Sequence, residues 1–323
     1  MALISVLVTF CNQEEYIRQA LDGILKQKID CEYEVLVGLD GKREKSLKIL
    51  KEYTEKYNFI HVYEIDWADR DCINIEIASA IRYNLLKHAK GDYFCILDGD
   101  DCYGSEKQFQ TQLRELQENP DCIGCAVGRV TVCENGDRNV IFPDTKFYTL
   151  KSYIKSNLYI HNGSILFRNI FKQGFPKDFP EKILNDTTMT MYMMRKGGVV
   201  YVPLFSYRYT ISENGIYQGK NVLVKNLYAV LDAEINLQYV GECRKELLKK
   251  YKKRFKDLYK KRKLYSISDS EIDKILKFAK ENKCRLLRAV LAYSRCKSGL
   301  GRWWWSCVGK ALLKTKCYSG KIK

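Results

Sequence analysis

The sequence predicts an α/β protein with a mostly parallel sheet, followed by a basic helical region. Two observations carry this prediction. Over the first hundred residues, short β-rich apolar segments alternate with segments whose apolar residues recur at helical spacing, as in βαβ units. The charge is also divided unevenly: residues 241–323 hold 26 Lys and Arg against 7 Asp and Glu, a net charge of +19, whereas residues 1–240 carry a net charge of −3.

The alternation defines the predicted elements of the first half. Helices are expected at residues 14–27, 45–57 and 75–91, and strands at residues 3–10, 33–40, 60–66 and 92–98. The next helix is expected at 105–120, with Ser105 as its N-cap and Pro120 beyond its end. Further strands are expected at 122–133, 139–143, 163–168 and 198–210, and helices near 150–154 and 187–194.

From residue 221 onward the pattern is helical, so we predict a catalytic-type domain at residues 1–220 and a basic, amphipathic helical region at 221–323. Residues 244–263 place apolar side chains along one helical face, with Lys and Arg elsewhere. Ser268 to Glu271 match a capping box that opens a single helix over residues 271–293.

Composition narrows the class of protein. No apolar run reaches the roughly 18 residues of a membrane-spanning helix, and we expect the first residues to form a strand rather than a secretory signal. The 13 cysteines have irregular spacing, which does not suit a disulfide framework, and Cys122 and Cys125 lack the second close pair of a zinc ribbon. We therefore expect reduced thiols and a cytoplasmic location.

The acidic run Asp98-Gly-Asp100-Asp101 directly follows the fourth predicted strand. Three carboxylates in four residues repel one another unless a cation lies between them, and Mg²⁺ and Mn²⁺ favour carboxylate and phosphate oxygens. The alternative is a solvated acidic turn, since Asp-Gly pairs form turns readily. In a parallel sheet this run would share one edge with Thr9 and Asp40, which end the first two strands.

With these segments in place, the chain resembles the family 2 glycosyltransferases of the GT-A fold over about residues 3–215. The similarity rests on five segments in order: SVLVTFCNQEEYIRQALDGILKQ, YEVLVGLDG, NLLKHAKGDYFCILDGDDCY, GSILFR and NDTTMTMYMMRKGGVVYVPLFSYRY. The third segment carries the family's Asp-X-Asp motif. The resemblance implies a Rossmann-like mixed sheet and a Mn²⁺ or Mg²⁺ cofactor.

The resemblance also implies roles for residues that precede the acidic run or belong to it. Thr9 and Asp40 would contact the nucleotide base, and Asn12 and Glu14 lie in the same loop. Arg82 is a candidate nucleotide contact. The remaining implied roles are metal ligation by Asp100, a position toward ribose or metal for Asp98, and support of the metal by Asp101.

On the acceptor side, Asp186 matches the family's catalytic base, although an Asn-Asp pair before a helix is also a good N-cap. His161 and Arg208 are candidate sugar or diphosphate contacts; a structural role remains the alternative for His161. The chain departs from the family at Thr210, where relatives often carry a His that helps to hold metal or phosphate.

The basic region admits three interpretations. Amphipathic basic helices with Trp303, Trp304 and Trp305 suit an anionic membrane surface, a helical subdomain that is basic only on its outside, or nucleic acid. We expect the membrane surface, with peripheral attachment at the inner face of the cell membrane. A nucleic-acid partner is not expected, because no nucleic-acid-binding motif is found.

The sequence thus predicts a metal-dependent, inverting transferase that moves a sugar from a nucleotide-diphospho-sugar to a hydroxyl of a glycan or lipid-linked acceptor. Two alternatives remain: a basic-tailed nucleic-acid-binding protein on an α/β scaffold, and a haloacid-dehalogenase-like phosphatase. The phosphatase is disfavoured because its nucleophilic Asp follows the first strand of the domain, whereas this acidic run follows three strand-helix units.

Overall fold

The structure is a computed structural model, and it describes residues 3–11, 13–66, 72–132, 136–139, 145–156, 158–211, 222–261, 270–296 and 298–314. Two compact units divide the chain. The first comprises Met1–Arg70, Asn74–Thr149 and Leu158–Gly215; the second comprises Asp71–Ile73, Leu150–Asn157 and Ile216–Lys323. The division is not contiguous, because a short segment near residue 150 belongs to the second unit. The expected boundary at residue 220 stays a prediction.

The strands of the first unit follow the apolar segments of the sequence closely. Their bounds are β1 Leu3–Phe10, β2 Glu32–Asp40, β3 Ile60–Ile65, β4 Tyr93–Asp98, β5 Cys102–Tyr103, β6 Cys122–Val132, β7 Arg138–Asn139, β8 Phe147–Tyr148, β9 Ile165–Arg168 and β10 Gly198–Thr210. Most of the strand predicted at residues 139–143 lies outside the described residues.

The helices of the first unit are α1 Ile17–Leu25, α2 Glu44–Lys56, α3 Asn74–His88, α4 Gln108–Glu118 and α6 Asp186–Met193. The start predicted for the fourth helix is wrong. Ser105 does not cap it; its hydroxyl instead accepts from the Lys107 N–H at 3.2 Å, and α4 begins three residues after Ser105. A local side-chain hydrogen bond therefore forms a turn ahead of the helix.

One mixed sheet joins the described strands in the order β3-β2-β1-β4-β9-β6-β10-β5, with β7 beside β6 and β8 beside β10. The β1, β2, β3 and β4 pairings are parallel, and β9 is antiparallel to both β4 and β6. The core of this unit forms where the apolar faces of α1, α2 and α4 cover the inner strands, which are almost fully buried. The predicted α/β fold with a mixed sheet is confirmed.

Register places polar residues together at one edge of the sheet. Thr9 of β1 pairs with Gly38 of β2 and with Asp98 of β4. The next position, Gly99, has no room for a side chain, since an added Cβ would lie 2.1 Å from the Phe10 ring. The glycine between the aspartates thus allows the chain to turn tightly against β1.

The second unit is helical, as the sequence predicts. Its helices are α5 Leu150–Lys155, α7 Val222–Tyr239, α8 Arg244–Lys260, α9 Ser270–Glu281, α10 Arg285–Arg295 and α11 Gly299–Lys314. In the part of the chain that the structure describes, none of the helices combines the length and apolarity needed to cross a bilayer.

The single helix predicted over 271–293 is wrong, because the chain breaks between α9 and α10. Lys283 adopts a left-handed backbone conformation with φ 58°. The Cys284 N–H donates to the Ala279 carbonyl at 2.9 Å, and the Lys283 N–H donates to the Lys280 carbonyl, which is the Schellman pattern of helix ends. Part of the predicted capping box, Ser268 and Asp269, lies outside the described residues.

The start of α10 is capped from another helix. Its N-cap residue, Cys284, makes no side-chain cap, but the buried carboxylate of Glu234 on α7 accepts from the Leu286 N–H at 3.0 Å and the Leu287 N–H at 2.8 Å. An anion at this end also interacts favourably with the helix dipole. The acidic residue therefore fixes α10 against α7.

Candidate active site

The end of β4 carries the first carboxylate of the acidic run, Asp98. Asp98 Oδ1 accepts from the Thr9 hydroxyl at 3.0 Å and from Arg82 Nη2 at 2.5 Å. The second Arg82 nitrogen, Nη1, donates to the Leu184 carbonyl at 2.9 Å. A hydroxyl of β1 and a guanidinium of α3 therefore hold one carboxylate at the sheet edge.

Arg82 is buried, with 8% of its surface exposed. Burial lowers the pKa of its guanidinium, but the carboxylates of Asp98 and Asp186 outweigh that effect and leave the pKa raised. Arg82 therefore stays charged under the influence of two carboxylates that come from distant parts of the chain. It is the residue that links the predicted nucleotide side to the predicted acceptor side.

The other two aspartates of the run have different surroundings. Asp101 is buried; its side chain hydrogen-bonds to the Tyr207 hydroxyl and accepts from the Thr210 N–H at 2.9 Å. Burial, together with the charges of Asp100 and Asp98, raises its pKa well above the usual range. Asp101 is thus fixed to β10, the strand on which the sequence carries Thr210 in place of the family's His.

Asp100 remains more accessible than Asp101. Burial and the nearby Asp98 charge raise the pKa of Asp100 to about 6, while a hydrogen bond with Gln13 opposes that rise. Among the ion pairs between described residues, none includes Asp100. This carboxylate is the one whose repulsion a bound cation would relieve.

The side chains available as ligands determine whether a metal ion could bind at this edge of the sheet. Within the described residues, no group of three His, Cys, Asp or Glu side chains converges into a preformed metal site. Mg²⁺ and Mn²⁺ commonly take one or two protein carboxylates and complete their shell with water and substrate phosphates. Asp100 and Asp98 supply that number of hard oxygen donors, so they fit a cation whose other ligands come from a diphosphate.

Two more of the predicted nucleotide-side residues, Asp40 and Glu14, lie at the end of β2 and shortly after β1. Asp40 ends β2, and its carboxylate accepts from Arg43 Nη2 at 3.1 Å. Glu14 begins a short 3-10 turn, Glu14–Tyr16, between β1 and α1. Asn12 lies outside the described residues. Burial, followed by the charge of Asp40, raises the pKa of the Cys11 thiol to about 12, so this loop carries an inert thiol.

Asp186 lies at the start of α6, but it does not cap that helix. The cap is Asn185, whose side-chain oxygen accepts from the Thr188 N–H at 2.9 Å. The Asp186 carboxylate instead accepts from the Asn162 N–H at 2.8 Å and the Tyr159 hydroxyl at 2.9 Å. The adjacent asparagine therefore fills the capping role, and the Asp186 carboxylate turns instead toward the residues that precede β9.

Burial and the charge of Asp98 raise the pKa of Asp186 to about 6, against the opposing effect of Arg82. Two contacts from α3 place the segment ahead of it: the Leu184 N–H donates to the Ser79 hydroxyl at 2.9 Å, and the Leu184 carbonyl accepts from Arg82. A carboxyl group whose pKa lies close to neutral is suited to accept a proton in turnover.

His161 and Arg208 make protein contacts. His161 is buried; Nδ1 lies 3.6 Å from Asp186 Oδ2, and Nε2 faces the Arg129 guanidinium. Arg208 on β10 pairs with Asp137 at 2.6 Å. Contacts of these two residues with a sugar or diphosphate stay predictions.

Three side chains that contact the predicted site residues were not predicted from the sequence: Arg129, Tyr159 and Tyr207. Arg129 offered a signal, since it is a charged residue inside the otherwise apolar strand β6. Tyr159 and Tyr207 offered none, because tyrosines abound in the chain and nothing local marks these two. Tyr207 contacts Asp101, and Tyr159 contacts Asp186, only because β10 and the residues that precede β9 pack at this edge of the sheet.

Comparison with known proteins identifies the class. The description Glycosyl transferase family 2 matches residues 5–175, more than half of the chain. The chain therefore belongs to glycosyl transferase family 2, as the sequence predicts. It spans about half the length of the first curated relatives it matches.

Three individual proteins illustrate the similarity. Poly(ribitol-phosphate) beta-glucosyltransferase of Bacillus spizizenii is 34% identical over 104 residues, 32% of this chain and 16% of that protein. S. aureus TarS 1-349 in complex with UDP-GlcNAc superposes with a TM-score of 0.58 at 17% identity, covering 95% of this chain and 90% of that fragment. The mannosyltransferase PcManGT of Pyrobaculum calidifontis, in complex with GDP-Man and Mn²⁺, gives 0.51 at 13% identity, covering 99% and 88%. These likenesses show a shared GT-A fold.

Proposed function

We propose that the protein is a metal-dependent, inverting glycosyltransferase that moves a sugar from a nucleotide-diphospho-sugar to a hydroxyl of a glycan or lipid-linked acceptor. The observation that carries the proposal is that Arg82 binds both the Asp98 carboxylate and the carbonyl of Leu184, two residues before Asp186. It brings an acidic sheet edge suited to a diphosphate together with a carboxylate suited to accept a proton.

The nucleotide side is assigned to the edge formed by β1, β2 and β4. Thr9, Glu14 and Asp40 follow or end their strands there, and Arg82 holds Asp98 toward the same edge. The solved complexes of TarS with UDP-GlcNAc and of PcManGT with GDP-Man support a sugar nucleotide as the donor class. Asn12, in the same loop, is assigned with them from the sequence alone.

Asp100, with Asp98, is assigned to hold Mn²⁺ or Mg²⁺. When bound, the cation would neutralise charge that develops on the departing diphosphate. PcManGT, solved with Mn²⁺, supports a divalent cation. The chain itself supplies the oxygen donors and, through Arg82, a fixed positive charge beside them.

On the acceptor side, Asp186 is assigned as the general base. It takes the proton of the acceptor hydroxyl while the hydroxyl oxygen bonds to the anomeric carbon, and the bond between that carbon and the phosphate oxygen breaks. The nucleoside diphosphate leaves with the bonding electrons. Attack from the face opposite the leaving group inverts the anomeric configuration.

The acceptor class follows from the relatives and from charge. A relative that acts on poly(ribitol-phosphate) supports a cell-surface polymer or its lipid-linked precursor as the acceptor class. The net charge of +19 over residues 241–323 supports attachment to an anionic surface at the inner face of the cell membrane. His161 and Arg208 remain candidate contacts to the transferred sugar or the diphosphate.

The decisive experiment is a screen of nucleotide sugars with Mn²⁺, read by thermal shift and by release of nucleoside diphosphate. We expect one sugar nucleotide to stabilise the protein and to be turned over only with metal, with loss of turnover in Asp186→Asn. Salt-steep affinity for DNA or RNA without binding of any sugar nucleotide would refute the proposal in favour of a nucleic-acid-binding protein.

A further inference from the structure

The outer face of α11 is apolar although it faces solvent. We define this outer face by Leu300, Trp303, Trp304 and Cys307, which recur at helical spacing; 83%, 64% and 59% of the first three residues is exposed, and Cys307 is exposed as well. Large exposed apolar side chains in one patch mark an interaction surface.

The opposite face of α11 packs within the second unit. The Tyr259 hydroxyl of α8 donates to the Ser306 carbonyl at 2.9 Å, and Gly309 is buried so closely against the Tyr259 ring that an added Cβ would lie 2.8 Å from it. Trp303 and Trp304 therefore point away from the helices that anchor α11. Among the described residues of this unit, packing leaves both indole rings largely exposed.

Charge decides which partner the outer face fits. Lys310 and Lys314 are exposed on the side of α11 that carries the tryptophans, and residues 299–314 contain no Asp or Glu. Exposed tryptophans beside cations suit the boundary between lipid headgroups and acyl chains, where the indole ring is buried and its N–H stays near water.

We propose that the outer face of α11 inserts into an anionic lipid surface. The inference deepens the proposed membrane attachment of residues 241–323 and rests on it. The two tryptophans would supply apolar burial, and Lys310 and Lys314 would supply attraction to anionic headgroups.

The test uses the full chain with vesicles of phosphatidylcholine alone or with added phosphatidylglycerol. We expect flotation with the anionic vesicles and a blue shift of tryptophan emission that brominated lipids quench. Trp303→Ser/Trp304→Ser should reduce partitioning by about tenfold or more, whereas the control Phe147→Ser/Phe205→Ser, which removes exposed rings of the first unit, should partition as the unchanged protein does.

The inference would be overturned if the tryptophan variant floated with anionic vesicles as well as the unchanged protein does. It would also be overturned if the variant lost self-association but kept its vesicle binding. Hydrolysis of the sugar nucleotide in the absence of vesicles is measured in parallel. Since the outer face lies on the second unit, this hydrolysis should be unchanged in Trp303→Ser/Trp304→Ser. The two measurements therefore distinguish a failure of the membrane inference from a failure of the proposed transferase activity.

A second observation concerns His161, which lies between Arg129 and Asp186. A guanidinium only donates hydrogen bonds, so His161 Nε2 must accept and the ring proton lies on Nδ1, which faces Asp186 Oδ2 at 3.6 Å. Burial and the Arg129 charge lower the pKa of His161 to about 3, which keeps the ring neutral.

Aromatic side chains hold this arrangement in place. The His161 ring meets Tyr159 edge to face with centroids 4.8 Å apart, and Tyr209 lies 4.8 Å away on a tilted plane. The Arg129 guanidinium lies 5.4 Å from the Tyr209 ring centroid, within cation-π range. Little rotation is left to either side chain.

We infer that His161 and Arg129 are positioning residues for Asp186. The Nδ1–H dipole, together with the Tyr159 hydroxyl and the Asn162 N–H, orients the carboxylate toward the acceptor. This inference rests on the proposed role of Asp186 as the base. The other charged groups that act on Asp186 are Arg82 of α3 and Asp98 of β4.

The test compares His161→Phe, which removes the donor, with His161→Asn, whose amide can donate from the position of Nδ1. In His161→Phe we expect kcat to fall about tenfold to a hundredfold while the KM for the sugar nucleotide is unchanged. His161→Asn should recover part of the lost kcat, and Arg129→Met should lose less than His161→Phe. His88→Phe, a change to an exposed histidine of α3, is the control and should behave as the unchanged protein does.

A double mutant distinguishes the positioning role of His161 from the role of Asp186 as the base. Once Asp186→Asn has removed the base, adding His161→Phe should cost little more. A raised donor KM in His161→Phe, or equal losses in the Phe and Asn variants, would overturn the positioning role. Full activity in Asp186→Asn would instead overturn the base assignment.

Discussion

Arg82 Nη2 lies 2.5 Å from Asp98 Oδ1, so a buried guanidinium on α3 neutralises the carboxylate that ends β4. The two side chains are only 16 residues apart in sequence, yet the same guanidinium reaches the Leu184 carbonyl, 102 residues away. One cation therefore joins the end of β4 to the segment that precedes Asp186. Predictions about the site begin with this pair.

Arg82→Lys should lower kcat/KM by about tenfold or more while the protein stays folded. A lysine keeps the charge but loses the planar fork that reaches Asp98 and Leu184 at once. Steady-state kinetics and circular dichroism measure the two effects. The control is Arg18→Lys, which alters an exposed pair with Glu52 and should change nothing measurable. Equal kinetics in both variants would refute the bridging role.

Turnover should depend on the ionisation of Asp186. Burial and Asp98 raise its pKa to about 6, and only the ionised form accepts a proton, so kcat/KM should be full above that pH and should fall as pH drops through about 6. The measurement is a pH profile with folding monitored at each pH.

Asp186→Asn should have low and nearly pH-independent activity. Asp178→Asn, at a carboxylate paired with Arg195 at 2.8 Å, is the control and should retain the profile. A rate for the unchanged protein that stays constant from neutral pH down to well below pH 6 would rule out Asp186 as the base.

Removal of metal should stop turnover. We expect EDTA to abolish activity, excess Mn²⁺ to restore it, and Asp100→Ala to lose about a hundredfold or more, because the carboxylate that best fits the cation is gone. Calorimetric titration of Mn²⁺ with nucleoside diphosphate present measures binding directly. Asp121→Ala, at an exposed position, is the matched control. Full activity of Asp100→Ala in EDTA would disprove the metal assignment.

Lys283→Gly should stabilise the second unit by about 0.5–1 kcal/mol. Lys283 has φ 58°, a conformation that glycine adopts without the steric cost a side chain imposes, and the gain exceeds the added flexibility of the unfolded chain. Chemical denaturation measures the change. Lys277→Gly, within α9, should destabilise by about 1 kcal/mol instead. Destabilisation by Lys283→Gly would show that the left-handed conformation is not the native one.

Some of the site could be predicted because strand ends are local features. The apolar segments fix where β1, β2 and β4 stop, and parallel pairing then brings Thr9, Asp40 and Asp98 to one edge. The acidic run itself is visible in the sequence. Its division into a buried Asp101 and a more accessible Asp100 was not, because Asp101 packs against β10, where its partner Tyr207 lies 106 residues away.

The sequence by itself determined the α/β alternation, the family, the basic helical region and the candidate carboxylates, because periodicity, charge and motif spacing are properties of short segments. Only the tertiary structure decided that Asn185 caps α6 and frees Asp186, that Arg129 fixes the proton of His161, and that Lys283 divides one predicted helix into two. It also decided that Trp303 and Trp304 point outward from α11. Each of these outcomes depends on which distant segment packs nearby, and a local pattern does not specify that.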